Sequence, residues 1–134
     1  MRLIFPALAQ IGWMFVVFGI MFAARRAAFM SKAVRMKDIA LSGDAWPDRA
    51  KAAANNFSNQ FETPVIFFAL ILIANEVGAK GWIMVTLAWV YVASRVVHTM
   101  IHVSSNHVMR RAYAFFVGMI ALMAMWIGII ATIL

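Results

Sequence analysis

The stretch SRVVHTMIH, residues 94–102, places Arg95, His98, Thr99 and His102 inside a run, GWIMVTLAWVYVASRVVHTMIHV, that is otherwise apolar. Positions i, i+3, i+4 and i+7 fall on one face of an α-helix, so these four side chains make a polar stripe on an apolar rod. A guanidinium brings a permanent charge and a fork of donors, and an imidazole can give or take a proton near neutral pH. Deep in lipid a charged side chain costs roughly 2.5–3.5 kcal/mol even on insertion scales, so the stripe must face protein or water.

Partners for it are expected in NNFSNQFETP, residues 55–64, where Asn55, Asn59 and Glu62 again follow i, i+4, i+7. Glu62 is the acid at the cytoplasmic end of the second predicted span and Arg95 the one base well inside a span, and an ion pair between them is expected. Two asparagines, two histidines and a threonine on facing stripes describe a polar ligand pocket better than a helix lock alone. Arg110 and Arg111 open the last span. Arg110 reads as a membrane anchor, whereas Arg111 can turn inward from the helix start and meet an anionic ligand.

Other chemistries find less support. His98 and His102 at i, i+4 could converge on one ion, but a zinc site wants three or four protein ligands, and Glu62 or His107 would have to complete it. No HExxH pattern, Ser-His-Asp arrangement, phosphate-cradling glycine loop or heme-attachment motif is present, and no metal is expected. Cysteine is absent, which excludes disulfides and a cysteine nucleophile.

The elements that must position these residues are transmembrane helices. The chain of 134 residues is 65% hydrophobic and 13% charged, with a mean hydropathy of +0.86. That is too apolar for a soluble domain of this size. A bilayer-crossing helix takes about 20 mostly apolar residues, and such runs lie near Leu3–Ala24, Phe61–Val77, Trp82–Val103 and Ala112–Leu134. The expected fold is an all-α integral membrane protein, a four-transmembrane-helix bundle in a single domain over residues 1–134. The apolar stretch ahead of the Ala-Leu-Ala near the start is too short for a cleaved signal, so the first span should stay as a helix.

Nine basic residues, Arg25, Arg26, Lys32, Arg35, Lys37, Arg49, Lys51, Arg110 and Arg111, fall on one side of this layout, against Arg2 and Lys80 on the other. The positive-inside rule then puts both termini on the non-cytoplasmic side. The net charge of +7 is thereby explained by topology and anionic headgroups, with no nucleic-acid partner required.

Within the long loop, Pro47 with Asp48 marks a helix start, and one helix from about Pro47 to Val77 should be kinked or locally broken by Pro64. The tight turn Gly78–Gly81 makes the second and third spans antiparallel neighbours. Small residues four apart, Gly19 with Ala23, Ala114 with Gly118 and Ala124 with Gly128, offer close helix contact.

NNFSNQFETPVIFF, followed by SRVVHTMIH and by MRRAYAFF, resembles the MAPEG family, the membrane-associated proteins in eicosanoid and glutathione metabolism. The similarity covers most of the chain from Arg25 onward, and its most specific elements are Asn59 with Glu62 and Arg95 with His98 and Thr99. It implies a homotrimer of four-helix bundles in the lipid bilayer, of bacterial inner-membrane type, with a site between subunits near the cytoplasmic face. It also implies glutathione as co-substrate and a small lipophilic electrophile or peroxide as its reaction partner. Carried over by position, Asn59, Glu62, Arg95, His98 and Arg111 match the family's polar positions and would bind glutathione; Asn55 is expected to join them, and Arg95 and His102 are expected to be catalytic.

The chain departs from the family's glutathione-using pattern at Asn55 and Ser58, where those members have bases, at His102, where they have tyrosine, and at Ala112, where serine can stand. Two readings follow: a glutathione-dependent transferase or peroxidase, or a non-catalytic protein of the same fold that binds lipid or a partner membrane subunit.

Overall fold

The computed structural model, which describes residues 2–134, is helical, with no strand among the described residues. Helix α1 spans Ile4–Met30, α2 Asp48–Ser58, α3 Thr63–Glu76, α4 Trp82–Val103 and α5 Val108–Ile133. A 3-10 turn at Asn59–Phe61 joins α2 to α3 into one broken rod, giving four rods of 27, 29, 22 and 26 residues long and apolar enough to cross a membrane. The expected four-helix membrane layout is therefore present, with α1 continuing six residues past Ala24 to Met30 and α5 beginning at Val108, ahead of Ala112.

Local chemistry sets the boundaries. Pro47, in an extended conformation, precedes Asp48 in the first turn of α2. Pro64 sits in the first turn of α3, and the chain breaks just ahead of it at Glu62 (φ −98°, ψ −95°), as the proline had implied. Having no N–H, proline cannot serve the carbonyl four residues back, and its ring crowds that carbonyl, so an unbroken helix through this point is disfavoured. After Met30 the amide of Lys32 bonds to the Phe29 carbonyl and that of Ala33 to the Ala28 carbonyl, both at 3.0 Å, with Lys32 at φ +55°. This is a Schellman close, which stops α1 and turns the chain back over the bundle end. The α3–α4 turn has Gly78 at φ +79°, a backbone state that glycine adopts without steric cost.

The core is built mainly by α3, α4 and α5: Phe67, Leu70, Ile71 and Ala74 meet Met84, Ala88, Tyr91 and Val92, closed by Ala121, Leu122, Met125 and Ile129. Although α3 and α4 follow one another in sequence, α4 packs most extensively on α5, and α3 also leans on α5. Long side chains bridge α3 to α4, the Phe67 ring stacking on Tyr91 at 4.5 Å and Thr63 Oγ1 meeting the Tyr91 hydroxyl at 3.1 Å. Outward faces carry Phe15, Leu72 and Ile120, all strongly exposed, as a lipid-facing surface requires.

A smaller cluster holds the α1–α2 loop: Ala28, Val34, Trp46 and Ala50, with Phe29 and Ile39 packed against it. In this loop Arg35 Nε donates to Asp38 Oδ2 at 2.9 Å, a hydrogen bond that holds the Asp38 carboxyl below its ordinary value.

Lipid tails are as apolar as leucine, so helices associate in a bilayer by close fit more than by the hydrophobic effect. At Gly118 a Cβ would lie 2.5 Å from Ser94 Oγ, which is itself held by a 2.6 Å bond to the Tyr91 carbonyl. Of the small-residue pairs, Ala114 with Gly118 is thus used inside the chain, both residues being buried, whereas nothing lies within 4 Å of a Cβ at Gly19. Gly118→Ala should destabilise the protein by about 1–3 kcal/mol through overpacking. Gly19→Ala should be neutral or slightly stabilising, since it only replaces a helix-interior glycine. Thermal unfolding of both variants in the same detergent checks the contrast.

Candidate functional site

Helix α4 buries its polar stripe. Ser94, Arg95, His98, Thr99 and His102 are all buried, and Arg95 retains only 1% of its surface. The guanidinium meets the break in the second rod: Arg95 Nη2 donates to the backbone carbonyl of Asn59 at 3.2 Å. The expected ion pair with Glu62 is not formed, and the salt bridge found among the described residues joins Arg35 and Asp38. The backbone break at Glu62 accounts for the difference, because it leaves that side chain on the exposed face of the rod while bringing the Asn59 carbonyl to Arg95.

Beyond Arg95 the stripe reaches two further elements. His98 Nδ1 lies 3.2 Å from the carbonyl of Arg111 at the start of α5. A carbonyl can only accept, so Nδ1 carries the hydrogen and Nε2 presents a lone pair. The His102 ring stands edge-on to His98, with centroids 5.8 Å apart. Arg111 is half-buried and donates from Nη1 to Asn106 Oδ1 at 2.8 Å, and Asn106 holds a left-handed backbone (φ +48°) in the α4–α5 turn.

A second network lies beside the stripe. Trp13 Nε1 donates to Thr99 Oγ1 at 3.4 Å, and Thr99 Oγ1 donates to Asn56 Oδ1 at 3.2 Å. Gln60 Nε2 donates to the Asn56 carbonyl at 3.2 Å, and Gln10 Nε2 donates to Gln60 Oε1 at 3.3 Å. Gln10, Asn56 and Gln60 are fully buried, so α1, the second rod and α4 are tied by polar groups inside the bundle.

Of the residues singled out from sequence, the structure gathers Arg95, His98, His102 and Arg111, with Asn59 joining through its backbone. Asn55 and Glu62 lie on the exposed face of the second rod. Asn56, Gln60, Gln10 and Trp13 went unread. For Asn56 and Gln60 a signal existed: the buried alanines Ala50 and Ala53 mark the inner face of α2, and continuing at helical spacing reaches Asn56 and Gln60, with Asn55 about 100° round the axis.

Several buried polar atoms here have no partner among the described residues: Arg95 Nε, His98 Nε2, His102 Nδ1 and Asn56 Nδ2. Groups of this kind are ordinarily satisfied by water or a ligand. No group of three or more histidines, cysteines, aspartates or glutamates able to hold a metal occurs among the described residues. An apolar groove of about 460 Å³ runs along α1 and the α2–α3 break, lined by Phe15, Phe18, Phe57, Phe61 and Phe68 with Ile11 and Met14.

Four membrane-length rods with ionisable side chains gathered at one end define a polytopic integral membrane protein with an internal polar site. The model of the MAPEG family matches residues 3–131, nearly the whole chain, and the chain belongs to that family. Comparison with curated proteins and with solved structures gave no match.

The Thr99–Asn56 bond offers a test of the buried network. Thr99→Val and Asn56→Leu should each cost about 1–3 kcal/mol by stranding the other group's partner. The double variant should cost clearly less than the sum, because both partners leave together. Denaturation in detergent of the two single variants and the double variant measures the coupling.

Proposed function

We propose that this chain is a membrane-embedded glutathione-dependent transferase or peroxidase acting on small lipophilic electrophiles, working as a homotrimer with its basic loops on the cytoplasmic side. The observation that carries the reading is the buried end of α4, where Arg95, His98 and His102 hold unpartnered nitrogens next to Arg111. The MAPEG family includes glutathione transferases and peroxidases, and its members commonly use glutathione.

The chemistry asked of the site is modest. A thiol with a pKa of about 8.5 must become a thiolate, and nearby cations favour that form. Arg95 and Arg111 supply the positive field, with Asn55, Asn59, Glu62 and His98 orienting the peptide. The thiol proton leaves to water, and the sulfur forms a bond to the electrophilic carbon. The leaving group departs with the bonding electrons, or an opened ring oxygen, hydrogen-bonded by His102, takes a proton from water. The aromatic groove beside the α2–α3 break suits the lipophilic partner, since its lining is apolar and includes Phe57 and Phe61, which flank Asn59 in the chain.

A non-catalytic role in binding lipid or a partner membrane subunit is favoured by Asn55, Ser58 and Ala112, which stand where glutathione-using members carry two bases and a serine. Calorimetry separates the two readings. Under the first, detergent-purified protein binds glutathione at millimolar concentration or tighter, and Arg95→Gln and Arg111→Gln each weaken it roughly tenfold, as expected for loss of a charge-assisted bond. Conjugation of a chlorodinitroarene should fall in the same variants. Absence of binding at several millimolar by a protein that melts normally would sink the catalytic reading.

A further inference from the structure

The α1–α2 loop carries a second cationic feature that the polar site does not use. Between Arg25 and Lys51 there are seven basic residues and three acidic ones. Asp38 is taken by Arg35, Asp44 accepts from the Ser42 hydroxyl at 3.0 Å, and Asp48 opens α2. Arg25 and Arg26 have no carboxylate within 4.0 Å among the described residues.

These two arginines line one groove of about 420 Å³, whose remaining walls are apolar and include Phe22, Phe29, Met36 and Trp46. Arg25 is held in place: its guanidinium carbon lies 5.1 Å from the centre of the Trp46 ring, and its Nε is buried without a partner. Trp46 is fixed in turn by an edge-on contact with Phe29 at 5.2 Å, inside the small loop core. A tryptophan shielding one face of a guanidinium leaves the donors at its edge to be used by an anion. Met36 and Phe22, 75% and 60% exposed, extend the apolar wall outward at the C-terminal end of α1.

We propose that this groove binds an anionic phospholipid, the phosphate lying between Arg25 and Arg26 and the start of an acyl chain lying along Phe22, Phe29 and Met36. The charge selects an anion, because two cations share a groove with no acid to offset them. The lining selects an amphiphile, because a small hydrated anion gains nothing from phenylalanine and methionine walls whereas an acyl chain does. The position selects a membrane lipid: the groove sits where a bilayer-length helix ends in a cluster of bases, the place at which anionic headgroups collect.

Native mass spectrometry of the detergent-purified full chain tests this, with phosphatidylglycerol and phosphatidylcholine of matched acyl chains as probes. Wild type should retain phosphatidylglycerol in preference, and Arg25→Gln and Arg26→Gln should weaken it roughly fivefold each. Met36→Trp, which fills the groove from its exposed rim with both arginines intact, should lose the adduct too. The Lys32→Gln/Lys37→Gln double variant, which removes twice the charge of either arginine variant, should keep it. Equal retention of both lipids, unchanged binding in Met36→Trp, or an equal loss in the lysine pair would overturn the site and leave only diffuse loop charge. Displacement of the lipid by millimolar glutathione would also overturn it, by assigning the arginines to a soluble anion.

Discussion

A guanidinium buried inside an apolar rod is the constraint around which the rest of this bundle is arranged. Arg95 sits one turn before His98 on a helix with lipid-facing neighbours such as Val97, so its donors must be met by protein. One of them is met by a backbone carbonyl, which is the unusual part. In a regular helix, carbonyls are consumed by the ladder. Pro64 has no N–H to give the Gln60 carbonyl, the chain ahead of it tightens into a 3-10 turn and breaks at Glu62, and the Asn59 carbonyl in that turn accepts from Arg95. Broken helices are tolerated at membrane depth when neighbouring helices re-satisfy the freed groups, and here the arginine and the break answer each other.

The same break divides the second rod chemically. Ala50, Ala53, Asn56 and Gln60 point inward, where they meet α1 and α4, whereas Asn55, Ser58 and Glu62 lie on an exposed face. A carboxylate on the outside of a membrane rod is costly against hydrocarbon and inexpensive against another subunit's polar surface or water. That face is therefore where the proposed trimer would close the site, with Glu62 approached from outside the chain while Arg95 is approached from within it. Within the chain the Thr99–Asn56–Gln60–Gln10 hydrogen bonds tie α1, the second rod and α4 together beside the stripe.

Much of this was legible in the residues. The four rods follow from apolar runs, the break from Pro64, and the polar stripe of α4 from its i, i+3, i+4, i+7 spacing, because each depends on local chemistry that the chain carries with it. The Glu62–Arg95 pairing was not legible in the same way. Opposite charges at similar depth suggest a bond, but which face a side chain takes beyond a helix break depends on the dihedral angles at the break, and no periodicity survives it. The inward place of Asn56 beside the exposed Asn55 was hidden for a related reason: two adjacent asparagines differ by 100° in direction, and only the alanine face of α2 tells which points into the chain. Gln10 left no trace at all, since a single amide in an apolar helix is silent until its partner Gln60 is placed opposite.

Charge balance bears on what the proposed site can hold. Arg95 and Arg111 are cations and Glu62 is an anion, which leaves these three side chains one positive charge in excess. A peptide with two carboxylates and one ammonium carries one net negative charge at neutral pH. The two match without the additional bases that Asn55 and Ser58 replace, provided the ammonium is given to Glu62 and the carboxylates to the arginines. A more anionic ligand would be left with a carboxylate in a low-dielectric site and no counter-charge, a cost of several kcal/mol for an ion of that size. In the proposed site the absence of bases at Asn55 and Ser58 would thus weigh against highly charged ligands and suit a peptide thiol of one net negative charge, whose thiolate, adding a second, would rest on the hydrogen-bond donors of Arg95 and Arg111 rather than on any excess of positive charge.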